Sequence, residues 1–262
     1  MSKSKSKTHF EVIEHSLENS DGHPSGLTVV ELVFCNPGSR NSFQLESARE
    51  LSGILKRIQS IKARALLFRA EGAFFCSGGN LSDHLKQGKT GGLKANREIA
   101  TCLKRLEGLG IPTIAVVEGD ALGGGLELLS AFDFVFAAPH VLFGFWQRRI
   151  GLSHGWGGRA RLERRLGAHV TARLALDARA ISAEEALRVG LIDQIAASWK
   201  IQEDAMAQAA RMARLPMKPV AGFKDPKIKG ESAERSFFAK LWFAAEHRAR
   251  LEAFGEKAKP RR

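Results

Sequence analysis

The stretch that most limits what this chain can become is Glu118-Gly119-Asp120-Ala121-Leu122-Gly123-Gly124-Gly125-Leu126-Glu127-Leu128-Leu129. Before it lies Thr113-Ile114-Ala115-Val116-Val117, a short β-branched run that predicts a buried strand. After it, Leu126, Leu128, Leu129 and Phe132 give one apolar helix face. Three glycines therefore stand where a strand hands over to a helix. Glycine there allows backbone conformations closed to other residues and lets a ligand approach the peptide plane. The first amides of a helix have no internal partner, and the helix dipole adds positive character. Such a run suits an anion or a developing oxyanion. It also suits a plain tight turn, with Glu127 as a solvated N-terminal acid. No Lys-Ser or Lys-Thr follows the glycines, and their spacing is not that of the dinucleotide fingerprint.

The chain has 262 residues, enough for one large domain or two small ones. No apolar run approaches a membrane span. Met1-Ser2-Lys3-Ser4-Lys5-Ser6-Lys7 has positive charge but no apolar region behind it, so a frayed tail over 1–8 is expected rather than a secretory signal. Cys35, Cys76 and Cys102 are odd in number and widely spaced, which fits a reducing, cytoplasmic setting, and no Cys/His cluster has zinc-ligand spacing. The formal net charge of +12 attracts polyanions and phosphate-bearing small ligands. No nucleic-acid reader motif accompanies it, which speaks against nucleic-acid binding as the main role.

Along the chain, 10–17 and 27–35 alternate in part and read as an antiparallel pair around a turn at 21–26. Residues 44–61 have the apolar spacing of an amphipathic helix, and 64–70 predict a strand. Residues 87–92, with Gly88, Gly91 and Gly92, read as mobile, and a helix follows over 93–109. A strand is expected over 133–138, extended or irregular chain over 141–147 and a long loop over 151–158. Helices are expected over 159–166 and 169–176. Ser182 with Glu185 forms a capping box, and 191–195 predict a short strand. From Gln202 onward the pattern is helical, broken at Pro216, Pro219 and Pro226. Strands alternate with helices to about Ile195 and helices alone follow, which favours an α/β core with a helical C-terminal piece.

A second glycine turn, Phe75-Cys76-Ser77-Gly78-Gly79-Asn80-Leu81, repeats the logic of the first. Two such turns suggest a pair of amides gripping one oxygen atom. These two segments resemble the signatures of the crotonase family, also called the enoyl-CoA hydratase/isomerase family. Further matches are Gly155-Trp156-Gly157-Gly158-Arg159-Ala160-Arg161-Leu162, then Ala183 to Asp193, and Ala253-Phe254-Gly255-Glu256-Lys257. The resemblance runs in order from about Phe10 to Pro260.

It implies an α/β, crotonase-like spiral of ββα units, with the core over 9–200 and a C-terminal helical trimerisation region over 201–262. It implies homotrimers, which in relatives often pair into hexamers, and an acyl-CoA thioester as ligand. No tightly bound cofactor is implied, since coenzyme A arrives as part of the substrate. Carried over by position, the thioester oxygen would be bound by the amides of Gly79 and Gly124. Gly78, Ser77 and Gly123 flank them. Ser39 and Arg40 fall in the loop that in relatives flanks the coenzyme, where Arg40 meets a phosphate or is simply solvated. The acid that usually follows the first glycine pair is here Asn80.

Hydratases of this family use two glutamates. Glu127 matches the first; the second falls at Gln147. An amide can hold a water or a substrate group but cannot exchange protons as a carboxyl does. Hydration is therefore expected to be slow, while double-bond isomerisation needs one carboxylate only. Decarboxylation stays open through the likeness of Trp156-Gly157-Gly158 to some decarboxylating relatives, although Glu127 would repel a substrate carboxylate. A non-catalytic RNA-binding or scaffold protein is the rival from another class. His154 reads first as a loop histidine and second as a catalytic one. Asp120 reads first as a turn cap and second as a stand-in carboxylate.

Overall fold

The computed structural model describes residues 9–19 and 21–257. The tail expected over 1–8 lies outside them. The order is β1 (Phe10–Glu18), β2 (Pro24–Phe34), α1 (Leu45–Ser60), β3 (Ala65–Ala70), β4 (Phe74–Cys76), α2 (Leu81–Glu107), β5 (Thr113–Val117), β6 (Asp120–Leu122), α3 (Gly124–Leu129), β7 (Phe134–Ala137) and β8 (Leu142–Gly144). There follow α4 (Gly158–Leu166), α5 (Ala168–Asp177), β9 (Ala180–Ser182), α6 (Ala183–Arg188), β10 (Gln194–Ile195), α7 (Ile201–Ala213), α8 (Met217–Lys224), α9 (Glu231–Leu241) and α10 (Ala245–Lys257).

Two sheets result. The larger runs β1-β2-β3-β5-β7-β10; only β1 and β2 pair antiparallel, as their alternation around a turn predicts. The smaller runs β4-β6-β8-β9, with β4, β6 and β8 parallel and β9 antiparallel. The parallel strands of the larger sheet are covered on both faces, which is why they read as unbroken apolar runs. On one face Leu66, Phe68, Ala115 and Val117 pack with Leu51, Leu55 and Ile58 of α1 and Ile99, Leu103 and Leu106 of α2. On the other, Ala65, Leu67, Ile114 and Val116 pack with Ile201, Ala205, Ala209 and Ala213 of α7. Cys76 and Cys102 are buried and free, and burial pushes their thiols up to about 12 and about 11.

Two expectations change here. Residues 87–92 are not a mobile link: α2 starts at Leu81 and passes through them, leaving helical geometry only at Gly88 (φ 59°, ψ −171°). The helix starts early because the Asn80 side chain accepts from the Ser82 and Asp83 amides, an N-cap, and its second half packs against α1. Pro219 does not break a helix either. It is the third residue of α8, in the first turn, where a backbone N–H has no partner to lose.

One glycine lies where it does nothing visible. Gly53 is exposed in the middle of α1, and a β-carbon there would meet nothing within 4 Å. Gly53→Ala is expected to stabilise the fold by about 0.5–1 kcal/mol, read from urea melts. A loss of stability would show that α1 carries a constraint at this position.

Candidate active site

The three parallel strands of the small sheet end side by side. The chain leaving β4 is Ser77-Gly78-Gly79-Asn80, the chain leaving β6 is Gly123-Gly124, and the chain leaving β8 is Phe145-Trp146-Gln147. Carboxyl ends of parallel strands are where α/β folds place ligands. The two glycine turns touch. Gly78 has φ +95°, and a β-carbon on it would fall 2.8 Å from the Gly124 nitrogen and 3.3 Å from the Leu122 carbonyl oxygen. The Gly123 amide donates to the Gly144 carbonyl at 2.7 Å, tying in β8. The Phe43 amide donates to the Gly78 carbonyl at 2.8 Å, and the Ser77 amide to the Arg40 carbonyl at 3.1 Å. Among the described residues, neither the Gly79 nor the Gly124 N–H has a protein acceptor.

Glu127 lies one helical turn into α3 and is 2 % exposed. Its Oε1 accepts from Gln147 Nε2 at 3.1 Å and from the Gly155 amide at 3.2 Å. Its Oε2 accepts from the Trp156 amide at 2.8 Å and the Gly158 amide at 3.0 Å. A carboxylate offers about four lone-pair positions, so all of them are occupied. The approach is close because residue 158 is glycine: a β-carbon there would run into the Glu127 side chain.

The loop that supplies these amides is fixed by a buried guanidinium. Arg161 Nε donates to Ser130 Oγ at 2.9 Å, and its Nη2 donates to the Glu127 and Trp156 carbonyls at 3.0 and 2.9 Å. The buried Trp156 ring covers Gly124, where a β-carbon would overlap it, and packs 6.0 Å from Phe43. His154 stands edge-on to Phe145 at 4.9 Å, half-buried. Burial pushes its imidazole below the usual histidine range; the Glu127 carboxylate opposes that shift and Arg159 adds to it.

The structure thus brings Gly78, Gly79, Gly123, Gly124, Glu127 and Gln147 into one neighbourhood, with Ser77 tied to Arg40 at its rim. Arg40 is exposed in a left-handed conformation (φ 54°), its guanidinium 5.6 Å over the Phe74 ring. The Ser39 hydroxyl donates to the Asn36 carbonyl at 3.1 Å within its own turn. Asp120 is a strand tie at the start of β6: its carboxylate accepts from the Leu142 amide at 2.9 Å. Arg161 and the amides of Gly155, Trp156 and Gly158 escaped sequence reasoning as partners of Glu127. Peptide N–H groups leave no mark on residue type; only the glycine spacing at 155, 157 and 158 hinted at a close approach.

The sequence from 25 to 261 matches the family model described as enoyl-CoA hydratase/isomerase. An enoyl-CoA hydratase from Bacillus anthracis superposes with a TM-score of 0.85 at 26% identity, covering 97% of this chain and 98% of the other. An enoyl-CoA hydratase/isomerase from Cupriavidus metallidurans CH34 gives 0.79 at 26% identity, covering 89% and 94%. Pseudomonas aeruginosa DspI shares the fold, with a TM-score of 0.86 at 24% identity over 100% and 99% of the two chains.

Proposed function

From the premise that the chain belongs to the enoyl-CoA hydratase/isomerase family, we propose that it moves a proton on an acyl-CoA thioester and thereby shifts a double bond. The amides of Gly79 and Gly124 hold the thioester oxygen. Glu127 takes the proton from C2, and the C–H electron pair passes into an enolate whose negative oxygen those amides stabilise. Losing one such donor typically costs on the order of 3 kcal/mol of transition-state stabilisation. Return of the proton at C4 restores the carbonyl and leaves the double bond between C2 and C3. Arg40 and Ser39 lie at the rim, where coenzyme A phosphates would pass, and the coenzyme comes and goes with the substrate.

The observation that carries this reading is the contact of the Gly78 turn with the Gly124 amide beside a buried carboxylate. Gln147 favours isomerisation over hydration, since its amide orients Glu127 but carries no proton. For Glu127 to accept a proton, Oε1 releases one of its two donors, which make the longer pair of bonds at 3.1 and 3.2 Å. A substrate carboxylate would face Glu127 directly, which disfavours decarboxylation.

In the same proposal the protein acts as a homotrimer, alone or paired into a hexamer. Phe223, Phe238, Trp242 and Phe243 of the C-terminal helical region are exposed in the single chain, which supports an assembly through that region. No helix among the described residues is long and apolar enough to cross a membrane.

The test uses butyryl-CoA, which can form the enolate but has no double bond to move. In D2O the protein is expected to exchange the C2 protons and, with a 3-enoyl-CoA, to form the 2-enoyl product. Neither exchange nor product, from protein whose melting temperature responds to RNA but not to CoA thioesters, would overturn the reading in favour of an RNA-binding role.

A further inference from the structure

Resting on that reading, we infer that Arg161 is a positioning residue for the proton transfer: it sets where the Glu127 carboxylate stands by gripping both that residue's own backbone and the loop that holds its side chain. α3 is only six residues long, Gly124–Leu129. A helix so short has little stability of its own, and the carbonyls of its last turn need partners from outside it. Backbone amides supply three of them: Ser130 donates to the Leu126 carbonyl, Ala131 to that of Leu128 and Phe132 to that of Leu129. The Glu127 carbonyl takes none of these amides. It accepts instead from the Ser130 hydroxyl at 2.7 Å and from Arg161 Nη2 at 3.0 Å.

The same nitrogen closes a ring. Arg161 Nη2 also donates to the Trp156 carbonyl at 2.9 Å, and the Trp156 amide donates to Glu127 Oε2 at 2.8 Å. The backbone and the carboxylate of Glu127 are therefore joined through one guanidinium and one peptide residue. Arg161 Nε donates to Ser130 Oγ at 2.9 Å, so the hydroxyl that meets the Glu127 carbonyl is held as well. Residue 157 leaves room for the guanidinium: a β-carbon on Gly157 would fall 3.1 Å from Arg161 Nη1.

Arg161 is 7 % exposed, and its hydrogen bonds go to two carbonyls and a hydroxyl rather than to a carboxylate. Burial pushes the guanidinium below its ordinary range; Glu107 from α2 and Glu127 from α3 oppose that shift, and Arg164 of α4 adds to it. An apolar side chain of similar size would fill the space without that desolvation cost. It would not hold three oxygens through one rigid fork, as a guanidinium does. Misplacing a reacting group by about 1 Å costs on the order of 10²-fold in rate. The clamp therefore bears on the proton transfer, although Arg161 itself makes no hydrogen bond to the carboxylate.

The test follows C2 exchange of butyryl-CoA in D2O over a range of concentrations, in wild type, Arg161→Met, Arg161→Lys and Ser130→Ala. Rates are divided by the number of butyryl-CoA sites that calorimetry finds in the same sample, so unfolded protein does not count. Arg161→Met is expected to lower kcat per site by about 10²-fold and to leave KM within about threefold. Arg161→Lys keeps a charge and enough donors for both carbonyls, and is expected to recover about tenfold of that loss at the same KM. Ser130→Ala leaves the guanidinium in place and removes one of its ties, for an expected loss in kcat of about three- to tenfold. A merely structural arginine would lower melting temperature and site number without moving kcat per site. Values of kcat per site within about twofold of wild type in Arg161→Met overturn the inference, as does a loss that lysine does not reduce. Should Arg161→Met yield no soluble protein, the same criterion applies to Ser130→Ala. Wild-type protein that binds butyryl-CoA without exchanging its C2 protons would instead remove the Glu127 reading, and the clamp's part in catalysis with it.

Discussion

Replacing Glu127 by alanine is expected to stop turnover and to weaken the fold by about 3 kcal/mol or more in the same step. The activity loss follows from its proposed place as the proton acceptor, a role worth about 10²–10⁴-fold. The stability loss follows from what the carboxylate holds. Without it, the amides of Trp156 and Gly158 and the Gln147 side chain point into a buried space with no acceptor. Each buried donor left unpaired costs about 1–3 kcal/mol, and relaxation of the loop recovers part of the sum. Glu127→Gln separates the effects incompletely, because its NH2 group must face one pair of N–H donors. It is expected to be less destabilised than Glu127→Ala and equally inactive in C2 exchange. Urea melts beside the exchange assay check both. Undiminished turnover in the two variants would remove Glu127 from the mechanism and leave it a structural clamp.

Gly125→Ala is the second large effect. Its β-carbon would overlap the Cys76 carbonyl oxygen, where the first turn of α3 crosses the end of β4. A carbonyl at the end of a strand cannot rotate away without breaking the sheet, so overpacking here should reach the upper end of the usual range, about 3 kcal/mol. The adjacent Gly124→Ala meets the Trp156 ring instead. A ring can shift, so that variant is expected to fold and to lose activity, since the displaced tryptophan sits on the residue whose amide is proposed to bind the thioester oxygen. Melting temperatures and soluble yield of the two variants rank them. Equal stability of Gly125→Ala and wild type would mean that α3 and β4 are not in contact in solution.

The readable parts of this chain were those whose chemistry is written in side-chain type. The β-branched run at 113–117, the apolar spacing from Leu45 to Ile58 and the cap at Ser182 fall where expected, the last accepting from the Glu185 amide. The glycines at 78 and 123–125 marked the place of the candidate site; left-handed backbone calls for them at Gly78 and Gly123, and close approach at Gly78, Gly124 and Gly125. What could not be read was where backbone groups point. β9 is three residues long, and β10 takes only two of the five residues expected at 191–195. Strands so short are defined by their partners and leave no periodicity of their own. The helix through 87–92 was hidden because glycine content outweighed the distant cap at Asn80 and the packing of α2 on α1. His154 was visible as a residue, but its burial beside Glu127 depends on a loop with no repeating pattern.

The small sheet also fixes what can vary among proteins built on this plan. Neighbouring strands stand about 4.8 Å apart whatever their side chains, so β4, β6 and β8 act as a ruler for the peptide groups that emerge from their ends. Insertions on the far side of α2, or in the stretch between α7 and α10, leave that ruler untouched. One residue added inside β6 would turn every following side chain to the opposite face and carry Glu127 away from its loop. Tolerance to inserted residues is therefore divided along the chain, and it is least in three short segments of three residues each.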